Sequence, residues 1–374
     1  MNQDNQKHQN GPLAELRVLE LEAIGPVPLA GAILSDLGAD VVQVVRPGWF
    51  EKNQPLEASR RGRKFVELDL KSDEGRDRML ALAEEADVLL EGYRPGVLER
   101  LGIGPDVLLE RNPRLVIGRM TGWGQEGKRS QQAGHDINYL SLTGHLSAIT
   151  DPNCRPTVPL NLVADYGGGT MFLLLGVVSA LFERANSGQG QVIDAAMVDG
   201  ASMLGHSVWS MMGSGRWIDQ SRSNLLDGGR PWYDVYATKD HRYMAVGAIE
   251  PQFYAELLEG LSLEDIAPDR SDEANFPKLR ALFTEKFASE TQEHWTNVFA
   301  DTDACVTPVL TYTEATQDPH MQSRGIHIDI EGVTQPAPAP RFSRTKTATP
   351  TPPPVAVSTL PETSDADGSI WPEC

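Results

Sequence analysis

LRVLELEAIGPVPLAGAILSDLGADVVQVV, residues 16–45, carries the pattern from which the rest of the chain is read. Leu16 to Leu21 reads as a strand, and Pro28 to Leu37 as a helix that Gly38 closes in the C-cap position. Val41 to Val45 is a β-branched run of the kind buried on both faces of a parallel sheet. The cycle repeats with a helix near 72–85, a strand at 88–90, a helix near 95–110 and a strand at 115–120. Alternating strands and helices predict a parallel sheet with right-handed crossovers, so the fold class expected is α/β with a Rossmann-like large domain. The first turn, Ala23 to Pro28, has one glycine where a dinucleotide fingerprint needs three, and NAD is not supported.

Further on, the pattern predicts a helix over 168–186, a strand at 191–195 and a helical run containing Met203, Trp209, Met211 and Met212. The Gly/Ser/Arg/Asp-rich segment 213–230 breaks this order. Beyond it, 232–249 reads as strands with a turn at Lys239-Asp240, followed by acidic amphipathic helices. The expected organisation is a disordered leader over 1–15, a large domain made of 16–212 and 325–374, a linker over 213–230 and a smaller α+β domain over 231–324. The proline-rich stretch 336–354 should run extended, and the acidic end beyond Glu362 should be disordered.

Among 374 residues, 33 Lys and Arg face 52 Asp and Glu, and the net charge of -19 opposes adsorption to nucleic acid or anionic lipid. Cys154, Cys305 and Cys374 fit neither a disulfide framework nor a C-x-x-C metal site, and suggest a reducing compartment. The most apolar stretch, Met171 to Leu181, falls short of the roughly 20 residues that cross a bilayer, so it is expected to be a buried helix. A polar N-terminus without a signal pattern, and a C-terminus without a sorting or lipidation box, make the cytoplasm the expected location.

Three features could do chemistry. His135, followed by Asp136, stands directly ahead of a helical pattern. Asp165 enters Gly167, Gly168 and Gly169 and then a helix, where glycines let backbone N–H groups approach an anion. Glu250 lies at a strand-to-helix junction before Pro251. Together they would make an acid/base set, although each also reads as an ordinary helix cap. Arg46, the run Arg60-Arg61-Gly62-Arg63-Lys64, and Arg94 put six positive charges near the expected carboxyl ends of strands, where an open parallel sheet holds its ligand. A phosphate-bearing ligand and a solvated charge run both fit them. No Gly-x-x-x-x-Gly-Lys-Ser/Thr motif is present, which argues against an ATP P-loop.

Leu37-Gly38-Ala39-Asp40-Val41-Val42 with Arg46-Pro47, Asp69-Leu70-Lys71 and Glu91-Gly92-Tyr93-Arg94-Pro95-Gly96 resembles the family III CoA-transferases. Met120 to Gln125, Ala133 to Tyr139, Asn161 to Gly169 and Val246 to Tyr254 are similar to the α-methylacyl-CoA racemase branch of that family. The resemblance covers nearly all of Leu16 to Thr345. It implies an interlocked homodimer in which the small domain of one subunit closes the site on the large domain of the other. It implies acyl-CoA as substrate, with no separate cofactor and no metal. His135, paired with Glu250 across the dimer, would be one acid/base and Asp165 the other, supported by Asp136, Tyr139 and Gly167 to Gly169. Ile24, Arg46, Lys64, Tyr93 and Arg94 would hold CoA. In the transferase relatives the residue matching Asp165 is instead a nucleophile, which leaves CoA transfer between acids as the alternative activity. The first turn departs from the racemase-like pattern at Val27 and Leu29.

Overall fold

The computed structural model describes residues 11–52, 58–347, 349–360 and 369–372. The chain divides into two compact units, one formed by 1–143, 159–205 and 325–374, the other by 144–158 and 206–324.

The first unit is built on six parallel strands in the order β3-β2-β1-β4-β5-β6: β1 (Arg17–Leu21), β2 (Asp40–Val45), β3 (Arg63–Glu67), β4 (Val88–Glu91), β5 (Val116–Thr121) and β6 (Val192–Ala196). This is the doubly wound order whose direction reverses between β1 and β4. Helix α1 (Pro26–Asp36) links β1 to β2, α2 (Asp73–Glu85) leads into β4, and α3 (Pro105–Arg111) leads into β5. Ser72 caps α2 by accepting from the Gly75 N–H at 3.0 Å. The sheet and its helices bury Leu19, Val42, Leu82, Leu89 and Ile117 completely or nearly so.

Strand β3 escapes the hydrophobic pattern because its sequence, RKFVE, opens on two cations. These are neutralised inside the fold. Arg63 Nε lies 2.8 Å from Glu20 of β1, both side chains fully buried, and Arg63 also donates to the Pro28 carbonyl of α1. Gln43 joins Glu20 to Arg60 at 2.6 and 2.8 Å. Arg61 forks onto Asp36. Three of the six cations expected at a ligand, Arg61, Arg63 and Lys64, are thus committed to structure.

The described ends differ from the expectation of disorder. Residues 11–15, assigned to the leader, form a turn in which Leu13 N–H donates to the Leu37 carbonyl; the leader's first ten residues lie outside the described set. At the other end, Glu85 receives Ser369 and Ile370, and Trp371 donates to Asp40 and stacks under Arg17, joining Leu360 in the core. Residues 361–368 and 373–374 lie outside the described set. Gly62 N–H to Thr351 and Ser358 N–H to Phe65 lash the extended segment to the β3 region.

After α4 (Asp136–Leu142), residues Leu162–Thr170 form a π-helical segment that runs straight into α5 (Met171–Ser187). The joined rod, Leu162–Ser187, has 26 residues and is long and apolar enough by length and composition to cross a membrane, which corrects the shorter stretch read from sequence. One face packs on the sheet, with Leu173 and Val177 over Gly118. The opposite stripe, Met171, Leu175, Val178 and Phe182, is exposed, so the helix is not wholly buried. Helix α6 (Met197–Leu204) crosses the π segment so tightly that a Cβ on Gly200 would stand 1.9 Å from the Gly168 carbonyl oxygen.

The second unit holds α7 (His206–Gly213), the antiparallel sheet β7 (Tyr233–Ala237), β8 (Tyr243–Gly247) and β9 (Val306–Pro308), and helices α8 (Pro251–Leu261), α9 (Phe276–Ser289) and α10 (Gln292–Phe299). Its core is aromatic, with Tyr236 stacked on Phe287 and Trp295 against Phe287. Segment 213–230, read as a linker, belongs to this unit, as do 206–212 and 144–158. Asn224 and Asp227 fold 218–229 by hydrogen bonds to its backbone. In the first unit a last hairpin, β10 (His327–Ile330) and β11 (Val333–Pro336), hands Gln335 and the Pro336 carbonyl to Arg61.

Removing the cation of the buried pair should leave Glu20 as an uncompensated buried charge. We expect Arg63→Met to lower unfolding free energy by about 3–5 kcal/mol, read as a lower urea midpoint with unchanged slope.

Candidate active site

The loops after β1, β4 and β5 surround a cavity of about 580 Å³ at the point where strand order reverses, lined by Ile24, Gly25, Tyr93, Arg94, Trp123, His135, Tyr139 and Asp165 among others. Open parallel sheets bind ligands at this place, because the diverging loops leave a crevice beyond the strand ends. His135 and Asp165, separated by thirty positions, meet in it.

His135 is the N-cap of α4, extended in backbone and exposed, so its ring faces the opening rather than the core. The next residue, Asp136, is buried. Its carboxylate accepts from the Ala164 and Asp165 N–H groups at 2.7 and 2.8 Å and thereby seats the π segment on α4. The loop-like Gly167-Gly168-Gly169 anion cradle expected from the sequence is therefore replaced by a helix. Its glycines serve close packing, against Leu204, Ala201 and Met197 respectively, and the Asp165 N–H is already occupied.

Burial, reinforced by the Asp136 charge, raises the Asp165 carboxyl above the ordinary value of 3.8, although a hydrogen bond from Asn161 and the nearby His135 oppose the rise. Asp165 Oδ2 is also 3.6 Å from where a Gly25 Cβ would stand, so the first turn of α1 meets the carboxyl directly. Burial and the two aspartates push the Tyr139 phenol up to about 12, and it remains a donor throughout the neutral range.

A second cavity of about 830 Å³ opens beside the first and is lined by Arg46, Trp49, Arg60, Leu68, Lys71 and Tyr93 among others. Ile24, Gly92 and Tyr93 line both, so a long ligand can pass from one to the other. Of the residues expected to hold CoA, Ile24 and Tyr93 stand at this junction. Arg46 lines the second cavity, exposed and 3.8 Å from Glu22, and Arg94 lines the first. Lys64 is the exception. It begins β3, at the opposite end of the strands, where it pairs with Asp40 at 2.8 Å and donates to the Pro372 carbonyl. The alternation of strand and loop could not place it, since β3 itself was hidden by its charges.

Glu250 belongs to the second unit. It is the exposed N-cap of α8, yet its side chain makes no cap hydrogen bond, which leaves the carboxylate available to something else. Arg270 holds the strand leading to it, donating to the Ala248 and Ile249 carbonyls at 3.1 and 3.0 Å while stacking over Tyr254. Sequence reasoning missed Asn161, Met120 and Met197, which reach the site only through the fold. Of the methionines in the helical run read from the sequence, Met203 is exposed on α6, and Met211 and Met212 are in the second unit.

Because the folded Asp165 is harder to ionise than the unfolded one, its charge costs stability at neutral pH. The stability tied to its raised value is present below 3.8 and is lost as pH rises through the folded value. Asp165→Asn should therefore be at least as stable as wild type at pH 7.5, with its advantage shrinking as pH falls to 4. Urea melts at the two pH values check this.

The chain matches the family model of CoA-transferase family III over residues 13–356. It is 46% identical over 328 residues to an alpha-methylacyl-CoA racemase of Mus musculus, covering 87% of this chain and 85% of that one. Against the alpha-methylacyl-CoA racemase of Homo sapiens it is 43% identical over 320 residues, covering 85% and 83%. Among solved structures, a CAIB/BAIF family protein from Brucella suis superposes with a TM-score of 0.80 at 26% identity, covering 92% of this chain and 96% of that one. The match over most of the sequence assigns this chain to CoA-transferase family III.

Proposed function

We propose that this protein is a racemase that interconverts (R)- and (S)-2-methylacyl-CoA thioesters. The observation that carries the reading is the meeting of His135 and Asp165 in one cavity, with the Asp165 carboxyl held toward its protonated form. Inverting a carbon needs a base on one face and an acid on the other. An imidazole and a carboxyl disposed to hold its proton, lining one cavity, supply that opposition. The thioester α-proton moves to His135, leaving an enolate, and Asp165 returns a proton to the other face; the reverse reaction exchanges the roles. No electron changes hands, and the reaction as written calls on no metal or redox cofactor.

The enolate oxygen needs a donor as charge develops on it. The Ala164 and Asp165 N–H groups are taken by Asp136. Helical geometry leaves the first N–H groups of α4, on Asp136 and Ile137, without intrahelical acceptors beside His135, and we assign the oxyanion to them. The junction at Ile24, Gly92 and Tyr93 suits a molecule with its acyl end in the first cavity and its nucleotide in the second, where Arg46, Arg60 and Lys71 meet phosphate charge. The substrate calls for no nucleic acid and no membrane.

We further propose a homodimer in which Glu250 of a second copy orients His135. The free carboxylate of Glu250 and the apolar stripe Met171, Leu175, Val178 and Phe182, with Phe182 75% exposed, both ask for a partner surface. Native mass measurement should give a dimer. A monomer that is fully active, or one that floats with lipid vesicles through α5, would overturn this.

The activity is tested by incubating each enantiomer of a 2-methylacyl-CoA with enzyme in deuterated water. Wild type should take up α-deuterium from both enantiomers. His135→Ala and Asp165→Ala should each nearly abolish racemisation while keeping exchange on the one enantiomer whose base survives. A wild type that takes up none, yet moves CoA to an added acid through an acyl-enzyme at Asp165, would replace the racemase with a transferase. Arg94→Ala should raise KM for acyl-CoA more than it lowers kcat.

A further inference from the structure

Resting on the racemase reading, we propose that Tyr139 is the positioning residue for His135, acting through the Gly134–His135 peptide. That peptide is held at both polar atoms by consecutive residues of α4. The Tyr139 hydroxyl donates to the Gly134 carbonyl at 2.5 Å, and the His135 N–H donates to Asn138 Oδ1 at 3.1 Å. With oxygen and nitrogen both fixed, the peptide plane cannot rock, and the His135 ring keeps only its own side-chain rotations.

The surroundings are built to admit the phenol. A Cβ on Gly122 would stand 2.3 Å from the Tyr139 ring, and one on Gly134 would stand 2.7 Å from it. Two glycines, one on the loop after β5 and one beside His135, are needed for the ring to lie where it does. Trp123 then closes on its face edge-on, with ring centroids 4.8 Å apart, and Arg129 lies over Trp123 at 5.5 Å. Tyr139 is 5% exposed, so its hydroxyl bond is sheltered from competing water. Such shelter makes the contact a rigid one, and general-base catalysis responds steeply to sub-ångström misplacement of the base. Among the described residues no hydrogen bond ties Tyr139 to Asp165, whose charge it feels but which is seated by Asp136 instead. The clamp therefore serves one of the two bases.

That asymmetry supplies the test. Deuterium uptake is measured separately for the two enantiomers of a 2-methylacyl-CoA with wild type, His135→Ala and Tyr139→Phe, which keeps the ring and loses only the hydroxyl. His135→Ala identifies the enantiomer whose proton His135 removes. With Tyr139→Phe, exchange on that enantiomer should fall about 10- to 100-fold, with KM changed less than about twofold and exchange on the other enantiomer nearly intact. Gly134→Ala, which drives the ring and its hydroxyl away, should give the same one-sided loss, and a thermal melt confirms that each variant is folded. Equal slowing of both enantiomers, or no slowing, would overturn the positioning role. A wild type without any exchange would instead sink the racemase reading, so the two failures are distinct.

Discussion

One buried carboxylate holds the site together. Asp136 is buried, and its Oδ2 accepts there from two main-chain N–H groups of the π segment. A carboxylate in that position does two things at once. It fixes where residue 165 stands relative to His135, because adjacent residues of α4 supply the histidine and the anchor. Its negative charge also adds to burial in resisting ionisation of Asp165. Geometry and protonation state thus come from the same atom pair, and removing Asp136 would disturb both.

The rest of the site is arranged around that joint. The π segment can approach α6 closely only because Gly168 and Gly200 face each other, and it can continue into α5 only because α5 finds the small surface of Gly118 on β5. On the other side of the cavity, Glu91 at the end of β4 is buried, accepts the Tyr93 N–H at 2.7 Å, and is itself held by Arg119 of β5 at 2.8 Å. This fixes the loop that separates the two cavities. Glu91 and Arg119, buried at the strand ends, are therefore engaged with each other, as the low local dielectric demands.

Charge has two distinct uses in this chain. Arg63 and Arg61 are interior struts, each matched to an acid across a strand or helix. Arg46, Arg60 and Lys71 line an open cavity, in a protein whose net charge of -19 would otherwise repel phosphate. Sequence position alone does not separate the two, since Arg60, Arg61 and Arg63 fall within four residues. Burial does.

From the sequence alone came the parallel sheet, its strand-helix alternation, and His135, Asp165 and Glu250 as candidate residues for chemistry. Hydrophobic periodicity and the family's motifs are local properties, and local properties are readable along a chain. Tertiary structure alone decided the rest. It showed β3 beneath its cations, because the ion pair of Arg63 with Glu20 offsets part of the cost of burying charge. It turned the glycine run from an anion cradle into a packing seam, because α6 arrives there from thirty residues away. It sent Lys64 to the far end of the sheet and docked residues 369–372 of an end that composition had marked as disordered. Each of these depends on which distant group stands opposite, and that pairing is fixed only when the whole chain has folded.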